Sequence, residues 1–368
     1  MIMTEREELS AKLDRVRGFM KGKDFSGVLL GTQHNFSWIT GGGDNQIIHG
    51  NEMGFVHVLV TRDKVYLITN NIEMPRVMAE EASGLGLDTV EYLWTEGDTE
   101  REVQKIVGRG KVAADHAFPG GVNAADKRAR LRVPLTENEL DRYRRLASLC
   151  TGAMEQTMHE VKPGMDELEI QGVIGGKLMA KGIYPVVLLV GTDERILNFR
   201  HPMPTEKKLE KYCMVVICAQ RWGLVLNMTR LAHFGDPPRE IATRYEALHQ
   251  VDMAYIAASK PGNSMKDVWR AGTREYEKQG FKGEERKHYQ GGTCGYLTRE
   301  QGLHPASGYV IREGEIIAHN PTITGTKIED SILVTRNGFE VLTLSDSWPS
   351  KEVSYGGVTL KRPGILVR

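Results

Sequence analysis

A chain of 368 residues is long for a single hydrophobic core, so two domains are expected. Its 48 lysines and arginines are cancelled by 48 aspartates and glutamates, which excludes the positive field of a nucleic-acid or anionic-membrane binder. Four cysteines without paired spacing (Cys150, Cys213, Cys218, Cys294) fit a reducing compartment, and no apolar stretch approaches the ~20 residues that span a bilayer. The N-terminal segment is charged throughout, without a signal-peptide core, so a cytoplasmic protein is expected.

In chain order, Leu9, Leu13, Val16, Phe19 and Met20 recur at helical spacing and predict an amphipathic helix from about Thr4 to Lys21. GVLLGTQHNFSWITGGGDNQ follows as a strand, a polar connection and a glycine turn. FVHVLVTRDKVYLITN reads as two strands joined at Arg62-Asp63-Lys64. A helix (Met74 to Ala82), a strand (Thr89 to Trp94), a helix (Thr99 to Ile106) and a strand (Lys111 to Ala114) then alternate, which defines an α/β layer structure. The boundary falls near Arg132-Val133-Pro134-Leu135, giving domains 1–134 and 135–368. Thr136-x-x-Glu139 is a capping box opening a long helix that ends before Lys162-Pro163-Gly164.

The second half repeats itself. Lys162-Pro163-Gly164 precedes an amphipathic helix ending at Gly182, and Lys260-Pro261-Gly262 precedes another ending at Gly280. The equal intervals argue for two copies of one helix–helix–strand unit, with a ligand site between the copies. Between them lies RHPMPTEKKLEKYCMVVICAQRWGLVLNMTR: a histidine in a proline-flanked turn, then two apolar strands joined at Trp222-Gly223.

That hairpin, its closing Asn227-Met228-Thr229-Arg230, the Gly291-Gly292-Thr293-Cys294-Gly295 turn, Asn320-Pro321 and Ile328-Glu329-Asp330 carry a resemblance to the creatinase, prolidase and methionine aminopeptidase superfamily. The resemblance implies an α/β (α+β) protein, with an N-terminal creatinase-like domain followed by a pita-bread domain of pseudo-twofold symmetry. It also implies a homodimer, with the loop Gly41 to Gly50 (Asp44, Asn45, Gln46, His49) directed at a partner's site.

In the metallo relatives, two aspartates, a histidine and two glutamates hold two metal ions. These places fall here on Cys218, Asn227, Gly292, Asn320 and Glu329, so one carboxylate is left of four. Two divalent ions need anionic oxygen ligands, and amides with a glycine do not supply them. No metal or other cofactor is therefore expected. Creatinase, which works without metal, points instead to His201 as general acid or base, with Glu329 orienting it or stabilising a cationic intermediate. Tyr289, Gln290, Asn320, Lys327, Cys218, Asn227 and Cys294 are placed around a small-molecule substrate. Arg299 and Glu300 stand where relatives carry a substrate-binding histidine and a glutamate, and an arginine there implies a carboxylate on the substrate. The expected activity is metal-independent hydrolysis of an amide or amidine C–N bond. An Xaa-Pro peptidase-like metallohydrolase and a non-catalytic binding protein are the alternatives.

Overall fold

The computed structural model describes residues 3–124 and 129–368, which form two compact units. One comprises the chain up to Arg142 together with Trp222–Leu224, and the other comprises Tyr143–Arg221 and Val225–Arg368.

In the first unit, α1 (Glu5–Met20) is opened by a capping box in which Thr4 and Glu7 satisfy each other's backbone N–H groups. Strands β1 (Gly27–Thr32), β2 (Met53–Val60), β3 (Val65–Asn70), β4 (Asp88–Tyr92), β5 (Val112–Ala114) and β6 (Val122–Asn123) form one mixed sheet, in the order β4-β3-β2-β1-β5-β6. The polar connection expected after β1 is instead a helix, α2 (Gln33–Thr40). Its apolar residues Phe36, Trp38 and Ile39 are buried, and its entry is held by Asp115, which accepts from the Gly31 and Thr32 amides and the Asn35 side chain. A tertiary contact 80 residues away thus overrides a short polar pattern. The helices α3 (Met74–Glu80) and α4 (Thr99–Val107) follow the expected alternation. In the Gly41 to Gly50 loop, Asn45 is fully buried and donates to the Gly31 and Val56 carbonyls, so this member of the loop braces its own sheet.

The second unit shows the repeat bond by bond. Helix α5 (Glu137–Glu160) leads into the first copy, with α6 (Glu167–Met179), β7 (Tyr184–Thr192), α7 (Glu194–Asn198), β8 (Tyr212–Arg221) and β9 (Leu224–His233). Helices α8 (Arg239–Ala258) and α9 (Met265–Lys278) open the second copy, followed by β10 (Gly291–Cys294), β11 (Gln301–Gly302) and β12 (Ile316–His319). Gly164 and Gly262 adopt φ of +91° and +93° and donate to Leu209 and Ile311. Capping boxes built on Asp166 with Glu169 and on Ser264 with Asp267 start α6 and α9. Both helices end in left-handed glycines, Gly182 and Gly280, followed by amides that reach back to Leu178 and Tyr276. The same hydrogen bonds therefore stop and start both copies.

The remaining short strands are β13 (Thr322–Ile323), β14 (Thr326–Lys327), β15 (Ile332–Thr335), β16 (Gly338–Val341), β17 (Ser350–Tyr355), β18 (Val358–Pro363) and β19 (Leu366–Val367). The two principal sheets of this unit run β19-β9-β8-β7 and β11-β10-β12-β15-β16. Between β9 and the segment after β14, Thr229 and Glu329 form an isolated antiparallel bridge, with the Thr229 amide donating to the Glu329 carbonyl at 3.0 Å. Helices α8 and α9 pack closely because Gly272 lets the Tyr255 ring lie where a side chain would begin. A Cβ at position 272 would stand 2.0 Å from Tyr255 Cε1. Gly272→Ala should accordingly lower unfolding stability by about 1–3 kcal/mol, from overpacking against a buried ring, and chemical denaturation would measure it.

Candidate active site

The site is built from the loop after α7, the hairpin β8–β9, the turn around β10 and the segment following β14. The tight β13–β14 hairpin turns at Gly325, with φ of +88°, and pairs Thr322 with Lys327. It delivers Lys327 and Glu329 to the end of the bridge with Thr229.

Glu329 is 1% exposed, and both its oxygens are occupied. Oε1 accepts from Arg299 Nη2 at 3.0 Å, while Oε2 takes Lys327 Nζ at 3.1 Å and the Thr229 hydroxyl at 3.0 Å. Arg299 also donates from Nη1 to Asn227 Oδ1 at 2.9 Å and to the Thr298 carbonyl at 2.5 Å. Its guanidinium thus bridges Asn227 and Glu329, two of the positions that hold metal in the metallo relatives. Burial by itself would raise the Glu329 pKa, but the ammonium and guanidinium outweigh it and hold the carboxyl below the usual range. Glu329 is a permanent anion with no oxygen free of a partner, which makes it an anchor and not a proton carrier.

His201 lies exposed in its loop, and its Nε2 is 3.1 Å from Nε2 of His288, a residue 9% exposed just before β10. Burial lowers the pKa of both, with Lys327 adding to it, and His288 is pushed down to about 3. Both imidazoles are therefore neutral near pH 7. Glu329 and Lys327 also act on both rings, so the histidine pair and the ion cluster share one electrostatic neighbourhood.

The other expected site residues separate into two groups. Cys218 and Asn227 lie at the cluster, both buried, and the Asn227 Nδ2 has no hydrogen-bond partner among the described residues. Burial, with Glu329 nearby, pushes the Cys218 thiol up to about 12, so it is neutral and not a nucleophile. Asn320 is 6% exposed, with its Oδ1 unpartnered among the described residues. Tyr289 is exposed, its hydroxyl close against Gly302.

Gln290, Cys294 and Glu300 serve structure instead. The Gln290 amide donates to the His288 and Glu285 carbonyls and accepts from Tyr276 and Tyr255, so it fixes the main chain beside His288 from behind. Cys294 is buried against the Tyr143 hydroxyl, and burial raises its thiol to about 11. Glu300 accepts from the Tyr296 amide and pins the turn. Arg299, expected to meet a substrate carboxylate, spends its charge on Glu329.

Sequence reasoning did not select His288 or Thr229 as site residues. The signals were present: Thr229 belongs to the Asn-Met-Thr-Arg end of the hairpin, and His288 opens the glycine-rich turn. Arg230 makes a buried ion pair, 2.9 Å from Asp330, while Arg362 Nη2 lies 3.0 Å from the other Asp330 oxygen and Arg362 Nε donates to Asp252 at 2.7 Å.

A dinuclear metal centre does not fit these residues. Among the described residues, no group of three His, Cys, Asp or Glu is placed to hold an ion. Gly292, where the resemblance places a metal-binding histidine, is also closed to a side chain: a Cβ there would lie 2.0 Å from the Gln301 carbonyl oxygen.

The fold and this site define a member of the creatinase/prolidase/aminopeptidase class, with its pita-bread domain. Over residues 141–336 the sequence matches metallopeptidase family M24, and the chain belongs to that family. An uncharacterized peptidase of Staphylococcus aureus (strain MW2) is 26% identical over 224 residues, which is 58% of this chain. The match spans 63% of that relative, less than two thirds of its length. Among solved structures, dipeptidase PepE from Mycobacterium ulcerans superposes with a TM-score of 0.78 at 16% identity, covering 100% of this chain and 99% of its own. An Xaa-Pro dipeptidase from Bacillus anthracis gives 0.76 at 18% identity, covering 98% and 100%. At these identities the structures establish the fold. Among the described residues no helix is long and apolar enough to cross a membrane.

The cluster orders the cost of its own variants. Glu329→Ala leaves two buried cations uncompensated and should cost about 3–5 kcal/mol, whereas Lys327→Met leaves Arg299 still neutralising Glu329 and should cost clearly less. Equilibrium denaturation of both variants would read the difference.

Proposed function

We propose that this protein is a metal-independent hydrolase of a C–N bond, of amide or amidine type, in a small molecule. The observation that carries the reading is the Glu329 cluster, in which an arginine and a lysine already engage the one remaining carboxylate of the metal-binding pattern. His201 is the base. It is exposed and neutral near pH 7, and it is backed by the His288 nitrogen at 3.1 Å.

In this reading His201 takes a proton from water as the water oxygen attacks the substrate carbon. The new C–O bond forms, and the same proton then passes to the leaving nitrogen as the C–N bond breaks. Cys218 contributes a small neutral wall, and Asn227 and Asn320 offer an amide donor and an acceptor to the substrate. A substrate carboxylate finds Arg299 already engaged, so any such group binds elsewhere in the pocket or displaces Glu329.

Membership of family M24 favours a second reading, a metal-dependent peptidase acting on Xaa-Pro or related dipeptides. The two readings part on metal. Hydrolysis of a panel of small amides, amidines and dipeptides should survive prolonged chelation and fall about 10²–10⁴-fold in His201→Ala. Stoichiometric transition metal in the purified protein, together with activity abolished by chelator and restored by that metal, would establish the second reading instead.

A further inference from the structure

The role of Lys327 goes beyond neutralising Glu329. Its ammonium is buried and sits 3.1 Å from Glu329 Oε2, although Arg299 already pairs with the other oxygen at 3.0 Å. One cation balances one carboxylate, so the second leaves surplus positive charge inside the domain. Lys327 also lines a small hollow together with Ile196, Phe199, Arg200 and Met214, and so reaches the chain on which His201 follows directly. His201 in turn meets His288 at 3.1 Å, nitrogen to nitrogen. A hydrogen bond between two imidazole nitrogens requires one of them to be bare, whereas two imidazolium rings would each present an N–H and repel.

We infer that Lys327 is a positioning residue whose fixed ammonium does the work of a metal's charge, holding the His201–His288 couple with a single proton between its two Nε2 atoms so that His201 meets water as a base. The inference rests on the reading of His201 as the base. In the resting couple one ring donates its Nε2–H and the other accepts on a lone pair. A further proton would convert the couple to a cation in the field of the Lys327 ammonium, which acts on both rings, and Coulomb repulsion opposes that step.

The remaining charges around the couple do not reverse this. Arg200 and Lys287 both pair with Glu284, at 2.6 Å each, and the Arg200 charge also acts on His288. Glu329 pulls the other way, favouring protonation, but is itself tied to Arg299 and Lys327. Burial is the largest cause of the lowered pKa of each ring, and Lys327 is the next. The sign follows. Depressed imidazole pKa values give stability that is full above the unfolded value of 6.5 and is lost as pH falls toward the folded values, about 3 for His288.

The test is a titration of ¹⁵N-histidine-labelled full-length protein followed by imidazole NMR, with no substrate present. In the native chain the His201 and His288 resonances should keep the neutral form well below pH 6.5. Lys327→Met should raise their apparent titration points by about one unit or more, Lys327→Arg should leave them in place, and Glu329→Gln should lower them further. Native resonances titrating at or above 6.5, or a Lys327→Met protein indistinguishable from the native one, would overturn the inference, and so would Lys327→Arg shifting as far as Lys327→Met. If Lys327→Met does not fold, the native, Lys327→Arg and Glu329→Gln titrations still decide. The readout needs no turnover, so shifted imidazoles in a protein that hydrolyses nothing would defeat the hydrolase reading and leave the charge assignment of Lys327 intact.

Discussion

A fully buried carboxylate that must stay charged is the constraint around which the second unit is arranged. Glu329 cannot ionise at 1% exposure without partners, because desolvation of a lone anion costs several kcal/mol. The chain supplies an arginine from the turn after β10, a lysine two residues upstream and a threonine from β9. Each comes from a different segment, so the ion cluster ties the first repeat to the second at the level of side chains, as the Thr229–Glu329 bridge does at the level of backbone. Removing either cation changes the net charge of the group, whereas removing the Thr229 hydroxyl costs a hydrogen bond and no charge.

A second buried network stands immediately behind it. Asp330 pairs with Arg230 and lies against Arg362, which itself binds Asp252 on α8, and Arg230 packs over the Trp348 ring. Burial, chiefly, raises Asp252 to about 6, which makes it the soft member of this otherwise closed set. Two adjacent residues, Glu329 and Asp330, therefore face opposite ways: one toward Arg299 and Lys327, the other into a brace that joins β9, α8 and β18. This alternation is the two-residue period of an extended chain.

Much of this was legible in the sequence, because it is written in local signals. The capping box of Thr136 with Glu139, the paired Lys-Pro-Gly landmarks and the apolar runs of the hairpin all act within a few residues of themselves. What was not legible depends on contacts distant in sequence. Helix α2 forms because Asp115 reaches across to its first turn. Arg299 pairs with Glu329, and Gln290 serves the backbone beside His288, since the partners that claim them lie 30 residues away and on α8 and α9 respectively. The imidazole couple has the same origin, as its two members are 87 residues apart. Residue type announced capacity for chemistry, and three-dimensional neighbours decided how that capacity was spent.

The glycine at position 292 gives this arrangement a direction. With the Gln301 carbonyl oxygen resting where a side chain would begin, the main chain itself occupies the room an imidazole ligand would need. Exchanging one residue cannot reopen that room, and the neighbouring strand would first have to retreat. Position 292 is thereby reserved for glycine by the main chain of the adjoining strand, whatever the side chains of the ion cluster do.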